Sequence, residues 1–403
     1  MNIANLREIY RDLLADVVVD KHRYLYEQVD LNNRLVGIVG ARGVGKTTLM
    51  LQLIKQKLPE DSRAFYVSAD NIYFQQNLLF EFIDQLYRYE NIDHFFIDEI
   101  HRYTNWNQEL KNIYDSFPKV KVVFSGSSSI DLVKGSYDLS RRANLYHLQG
   151  LSFREYLNFF QDIDHPVIAF SDLIAHPEEN ASAISAIPKL LGHFQDYLSK
   201  GYYPYFEGET QGYYEKLHQS IDKAIYQDVA NFYQLKTQNL VYFKRILNFL
   251  ASIPPGEISV NNLAKNLQID NKTAHSYLEI LAEIALIRII TVPEGGNKLL
   301  RLPTKIFIEN TTLLTALNHY LGENLSVGTV RELFFIQSVA NAKLPLFYSS
   351  IGDYVVDKHY FEIGGKNKDR SQLKGKDKAY LVKDGILHPS HHTLPLYLFG
   401  FLY

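Results

Sequence analysis

Eight consecutive residues have the types and spacing to grip phosphate: Gly40-Ala41-Arg42-Gly43-Val44-Gly45-Lys46-Thr47, a G-x-x-x-x-G-K-T run. Glycines let a backbone wrap close to an anion, and N–H groups at a helix start supply partial positive charge. Lys46 would reach the β- and γ-phosphates of a nucleotide, and the Thr47 hydroxyl would ligate Mg2+. All eight residues, with Thr48 beyond them, are candidates for nucleotide contact; Arg42 faces either phosphate or solvent.

A second group follows further along. The apolar run Phe95-Phe96-Ile97 ends in Asp98-Glu99. An Asp at a strand's C-terminal end can hold the Mg2+ hydration shell, and the adjacent Glu99 can polarise the attacking water. The pairing points to hydrolysis rather than binding alone. The next apolar run ends in Ser125-Gly126-Ser127-Ser128-Ser129, where Ser127 is a catalytic candidate and Ser125 its equal for orienting water or touching the γ-phosphate. Arg141 and Arg142 follow, and an arginine there could stabilise charge on the transferring phosphate, in its own subunit or a neighbour's. Asp70 could touch nucleotide or Mg2+, but helix N-capping is the favoured reading.

These residues must be carried by regular elements. Residues 1–30 show helical spacing at Leu6, Tyr10, Leu13, Leu14 and Val17. Strands are expected at Leu35–Val39, Ala64–Ser68, Phe95–Ile97 and Val120–Phe124, with helical patterns between them. Such alternation predicts an α/β fold with a doubly wound parallel sheet. Residues 151–250 read as a helical lid or connector and 251–320 as a winged helix: Val260–Leu267, a turn, Asn271–Ala285, then strands around Leu286–Ile290 and after Pro293–Asn297. From 321 to 403 a helix around Glu332 precedes strands near Tyr354, Phe361, Ala379 and the C-terminal end.

Several segments together resemble a known family. They are Gly40–Thr47, Phe95–Arg102 continuing to Asn105-Trp106, Phe124–Ser129, Leu151–Tyr156 and Gly201–Phe206. The chain resembles the AAA+-superfamily ATPases of bacteria and archaea that carry an uncharacterised C-terminal region. That resemblance implies a P-loop ATPase core over 1–150 followed by the connector, the winged helix and a restriction-endonuclease-like domain over 321–403. It implies ATP and Mg2+ as cofactors, nucleotide roles for Lys46, Thr47, Asp98 and Glu99, and a phosphate role for Arg141 or Arg142. Trp106 belongs to the signature but reads as packing.

Nuclease chemistry in the last domain is not expected. Glu332, Asp353, Asp357 and Glu362 could hold a metal, but the lysine expected two residues after Glu362 is Gly364. Lys366 could recover the place only through a bulge at the two glycines. The basic stretch Lys366–Lys378 reads as a solvated loop, and His388, His391 and His392 as a polar loop before an apolar terminal strand. Lys272, Thr273, His275 and Ser276 could meet DNA, yet residues 256–305 balance six basic against five acidic side chains.

Composition narrows the function classes. With 46% hydrophobic and 22% charged residues across 403, wholesale disorder is excluded. There is no cysteine, hence no disulfide or thiolate site, and no apolar stretch long enough to span a bilayer. The net charge of -3 excludes a molecule that is basic throughout, so any DNA contact must be local. Residues 1–8 lack a signal peptide's order, so a cytoplasmic protein is expected. The expected function is a Mg2+-dependent ATPase whose nucleotide state controls its appended domains. The alternative is a slow-turnover nucleotide switch regulating DNA or protein binding. Expected partners are ATP, further copies of the chain and a DNA or protein client, with no membrane.

Overall fold

The computed structural model describes residues 2–59, 63–126, 139, 141–205, 210–233, 235–253, 259–292, 305–373 and 375–403. It comprises two compact units, Met1–Gln149 and Gly150–Tyr403.

The first unit is an α/β sandwich on a five-stranded parallel sheet of order β2-β3-β4-β1-β5. The strands are β1 (Leu35–Val39), β2 (Ala64–Ser68), β3 (His94–Asp98), β4 (Lys121–Gly126) and β5 (Asn144–His147). All five β1 residues are buried, as an unbroken apolar run in a covered parallel sheet must be. Burying each of its Leu, Val and Ile side chains contributes roughly 1.5–3 kcal/mol. Gly37 keeps this central strand close-packed: a Cβ there would lie 2.5 Å from Leu145 and 2.8 Å from the Phe124 ring.

Among the described residues of this unit are the helices α1 (Ile3–Asp16), α2 (Leu25–Gln28), α3 (Lys46–Gln52), α4 (Leu79–Glu90) and α5 (Trp106–Ser116). Asn2 and Asn5 cap α1 reciprocally, each side chain accepting the other's backbone N–H. Trp106 is buried and packs against Phe124, a core role. The 3-10 turn Ile72–Gln75 is capped by Asn71, not Asp70; Asp70 instead accepts the Ser68 hydroxyl at 2.6 Å. Strand β5 escapes sequence pattern because its four residues include a polar residue at each end and none is fully buried.

The second unit opens with helices, among them Phe153–Gln161, Leu190–Lys200 and Thr237–Ser252. The Leu151–Tyr156 signature holds a capping box: Ser152 Oγ accepts the Glu155 N–H at 3.1 Å, and Glu155 accepts the Ser152 N–H at 3.2 Å. A helix–turn–helix, Val260–Leu267 and Asn271–Glu283, leads into the antiparallel pair β6 (Ile287–Ile290) and β7 (Lys305–Ile308). The turn expected at 293–297 lies outside the described residues.

After the helix Val327–Asn341 comes a sheet of order β12-β11-β10-β9-β8. Its strands are β8 (Leu346–Tyr348), β9 (Tyr354–Val356), β10 (His359–Gly364), β11 (Ala379–Lys383) and β12 (Thr393–Pro395). The terminal apolar run Leu396–Phe401, expected as a strand, is a 3-10 helix. Pro395 has no N–H to extend a ladder, and this run is buried at every position rather than alternating.

A buried polar network knits this unit. Arg288 pairs with Glu309 and donates to Asn341 at 2.7 Å. Asn341 in turn donates to Tyr202 and Tyr403. Tyr202 and Tyr203, from the Gly201–Phe206 segment, are therefore core residues.

Candidate nucleotide site

The site begins where β1 ends. Gly40 donates its N–H to the Gly126 carbonyl, and its Cα faces Leu148 so closely that a Cβ would lie 2.2 Å from that carbonyl oxygen. Gly45, with φ of 97°, turns the chain into α3 through the left-handed region that glycine enters freely. Lys46 is buried, and its ammonium bridges the loop by donating to the carbonyls of Gly40 at 3.0 Å and Ala41 at 3.1 Å. Arg42 is half-buried, with one guanidinium nitrogen, Nη1, buried and without a hydrogen-bond partner. Val44 is buried, while Thr48 stands exposed on the first turn of α3.

Strand β4 lies between β1 and the acid-bearing β3. Ser125 on β4 thus stands level with Ile38, one step beyond the Ile97–Phe124 pair, and reaches across to Asp98. The buried Asp98 carboxylate collects four donors. Thr47 donates to Oδ2 at 2.5 Å and Tyr66 at 2.9 Å, while Oδ1 accepts from the Ser125 hydroxyl and, at 3.1 Å, from the Glu99 N–H. The Ser125 oxygen also accepts the Glu99 N–H at 3.1 Å.

These bonds hold Glu99 in a left-handed conformation with φ of 50°. Its Oε2 is buried with no hydrogen-bond partner and lies 3.4 Å from His101 Nε2. Burial pushes the Glu99 carboxyl up, and the Asp98 charge adds to this, while Lys46, Arg42 and Arg102 oppose it. His101 is enclosed, and burial first, then the Lys46, Arg102 and Arg42 charges, hold it down to about 3. It faces Glu99 as a neutral imidazole.

The structure brings Gly40–Thr47, Asp98, Glu99 and Ser125 together. Ser127 lies outside the described residues. Arg141 and Arg142 are not at this site. The parallel register sets Asn144 beside Val36, so Arg142 lies at the opposite, N-terminal edge of the sheet from the phosphate loop. There it grips Asp115 through two nitrogens at 3.2 and 3.3 Å and lies against the Tyr114 ring, as does Arg34. Arg141 beside it is exposed. The strand length between the edges, about 16 Å for five residues, keeps both arginines from phosphate in their own subunit.

Sequence pattern missed three members. Arg23 is buried and donates to the carbonyls of Val44 in the loop and Gln149 after β5. No local motif marks it. Tyr66 shares a β2 face with Ser68, and that alternation was its only signal. His101 sits inside the acidic signature, but its aim at Glu99 depends on the 3-10 turn Ile100–Arg102.

Residues 32–157 match the family model of an AAA domain. These residues form an AAA domain of the P-loop ATPase type. A second model, a domain of unknown function (DUF8612), matches residues 191–325. Comparison with curated proteins gave no match. Among solved structures the chain is similar to AMPPCP-bound DnaA from Aquifex aeolicus, at 14% identity, covering 68% of this chain and 86% of that one with a TM-score of 0.27. It is also similar to C. elegans PCH-2, at 15% identity, 69% of each chain and a TM-score of 0.26. A third is Drosophila ORC bound to AT-rich DNA and Cdc6, at 8% identity, 79% of this chain, 95% of that one and a TM-score of 0.24. The stretch matched to the AAA domain spans the whole sheet and every site residue described above except Arg23.

Beyond the matched stretch, three of the four candidate carboxylates of the second unit, Glu332, Asp353 and Glu362, are engaged, while Asp357 is exposed. Lys368, not Lys366, takes the place that Gly364 vacates: a Cβ at Gly364 would lie 2.5 Å from the Lys368 side chain. Its ammonium sits 2.5 Å from the buried Glu362 carboxylate. Lys305 and Tyr354 hold Glu332, and Asp353 accepts the Ile363 N–H. Among the described residues, no group of three metal-ligating side chains is poised for an ion. No described helix is long and apolar enough to cross a membrane.

Proposed function

We propose that this protein is a Mg2+-dependent ATPase whose nucleotide state acts on the appended second unit. The observation that carries the reading is the tie between phosphate loop and acidic strand. Thr47 and Ser125 both bond to Asp98, and Asp98 and Ser125 together aim Glu99. A site for binding alone has no use for an oriented, half-buried carboxylate whose Oε2 is left without a hydrogen bond, as in Glu99.

The residues fit a nucleotide with its ion. Lys46 is already drawn over the loop, and γ-phosphate oxygens would replace the two carbonyls it now bonds. Thr47 and Asp98 offer the oxygen donors that Mg2+ takes, and that ion would supply charge neutralisation on the phosphates. Glu99 orients and polarises the attacking water. Ser125 and Tyr66 fix the Asp98 carboxylate in place by donating to it.

The client side of the reading rests on the second unit. The helix–turn–helix with its antiparallel pair supports a winged helix, and Asn271, Lys272, His275 and Ser276 are exposed on its second helix. DNA is one client that surface suits, and a protein is the other. The Lys368–Glu362 pair supports a catalytically silent nuclease-like domain over 321–403.

Steady-state hydrolysis of ATP with Mg2+ tests the reading in wild type, Lys46→Ala and Glu99→Gln. Lys46→Ala is expected to lose binding, and Glu99→Gln to bind ATP but lose turnover. Tight ATP binding by wild type without turnover, unchanged by Glu99→Gln, would leave the slow nucleotide switch instead.

A further inference from the structure

With Arg141 and Arg142 at the far edge of the sheet, neither reaches the phosphates of its own subunit, and the arginine inside the loop is Arg42. We infer that Arg42, inside the phosphate loop, is the arginine that stabilises the transferring phosphoryl group, and that each subunit supplies it to its own site. This rests on the ATPase reading above.

Two observations converge on Arg42. It lies between Gly40 and Gly45, in the segment whose backbone surrounds the phosphates. Its Nη1 is buried without a hydrogen-bond partner. A guanidinium nitrogen hidden from water and left unbonded is costly, and an anionic oxygen arriving in the loop would satisfy it. By contrast Arg142 is held by Asp115 and Tyr114. Arg102 follows Glu99 on the 3-10 turn rather than lying in the loop.

In the step itself the water oxygen bonds to the γ-phosphorus and the bond to the β–γ bridging oxygen breaks. That oxygen leaves with the electron pair on ADP, and the water proton moves toward Glu99. The guanidinium is expected to cover the equatorial oxygens as the charge spreads. Its planar fork suits two oxygens at once, which lysine's point charge does not.

The consequence differs from an arginine lent by a neighbour: turnover per subunit is independent of assembly. Turnover and ADP affinity are measured for Arg42→Ala, Arg42→Lys and an equimolar mixture of Arg42→Ala with Lys46→Ala. The expectation is that Arg42→Ala loses kcat by about 10³-fold, the scale of arginine-finger effects. Its ADP affinity, which reports the folded loop, should change less than about tenfold. Arg42→Lys should not rescue. The mixture should stay inactive, because neither subunit has both residues. Recovery in the mixture, or wild-type kcat in Arg42→Ala, overturns the inference while leaving the ATPase reading intact. No hydrolysis by wild type at any concentration overturns that reading and the inference with it.

Discussion

Replacing Glu99 with glutamine should make the protein more stable and less active at once. The side chain keeps its shape and loses its charge. In the folded unit Oε2 is buried and unbonded, and a buried unsatisfied polar group costs roughly 1–3 kcal/mol. Lys46, Arg42 and Arg102 offset part of that cost for the carboxylate, and Asp98 adds to it. The net gain expected for Glu99→Gln is about 1 kcal/mol, or roughly 2–4 °C in Tm for a unit of this size.

The pH dependence gives a sharper test. Burial raises the folded carboxyl above its unfolded value, so folding disfavours the ionised form. Glu99's contribution is then fully present below the unfolded range near 4.3 and is lost as pH rises through the raised folded value. The variant's advantage should therefore be absent below about pH 4 and present at about pH 8. Calorimetry in EDTA at both values reads it, beside an ATPase assay in which kcat falls by about 10²–10⁴-fold. A variant less stable than wild type at the higher pH, or equally favoured at both, refutes the account of a strained, aimed carboxylate.

Tyr66→Phe removes one donor from the Asp98 carboxylate and should lower stability by about 1.5–3 kcal/mol in urea unfolding; a change near zero would show that the other donors suffice. Gly40→Ala places a methyl against the Leu148 carbonyl, so a fluorescent-nucleotide titration should show affinity falling at least about tenfold, while Gly192→Ala, which meets nothing within 4 Å, changes nothing. In the second unit, burial outweighs Arg288 and pushes Glu309 up to about 7. Arg288→Met at about pH 8 leaves that carboxylate uncompensated and should cost about 3–5 kcal/mol in chemical unfolding. Arg288→Met with Glu309→Leu should regain at least half, and no recovery would mean that lost packing dominates.

Much of the fold was legible because it follows local pattern. Apolar runs marked β1 to β4, and helical spacing on either side of a short turn marked the helix–turn–helix. What pattern missed carries little local signal. Strand β5 is short and polar at both ends, and Leu396–Phe401 is apolar enough for a strand but coils after Pro395 because the core encloses it on every side.

The site divides the same way. Gly40–Thr47 is a contiguous motif because phosphate binding needs several backbone N–H groups in one turn, and Asp98-Glu99 is readable because a strand end must precede it. Sequence alone therefore determined an α/β unit with a candidate phosphate-binding loop and an acidic strand end. The arginines were undecidable at that level, since a cation's role depends on which edge of the sheet it meets. Parallel pairing of β5 with β1 put Arg142 at one edge, and the loop kept Arg42 at the other. Likewise Arg23, Tyr66, Ser125 and His101 acquired their roles only when β4 was inserted between β1 and β3 and the 3-10 turn folded back. Hydrogen bonds and charge act over a few ångströms in space, and residues far apart in the chain reach that range only through tertiary packing.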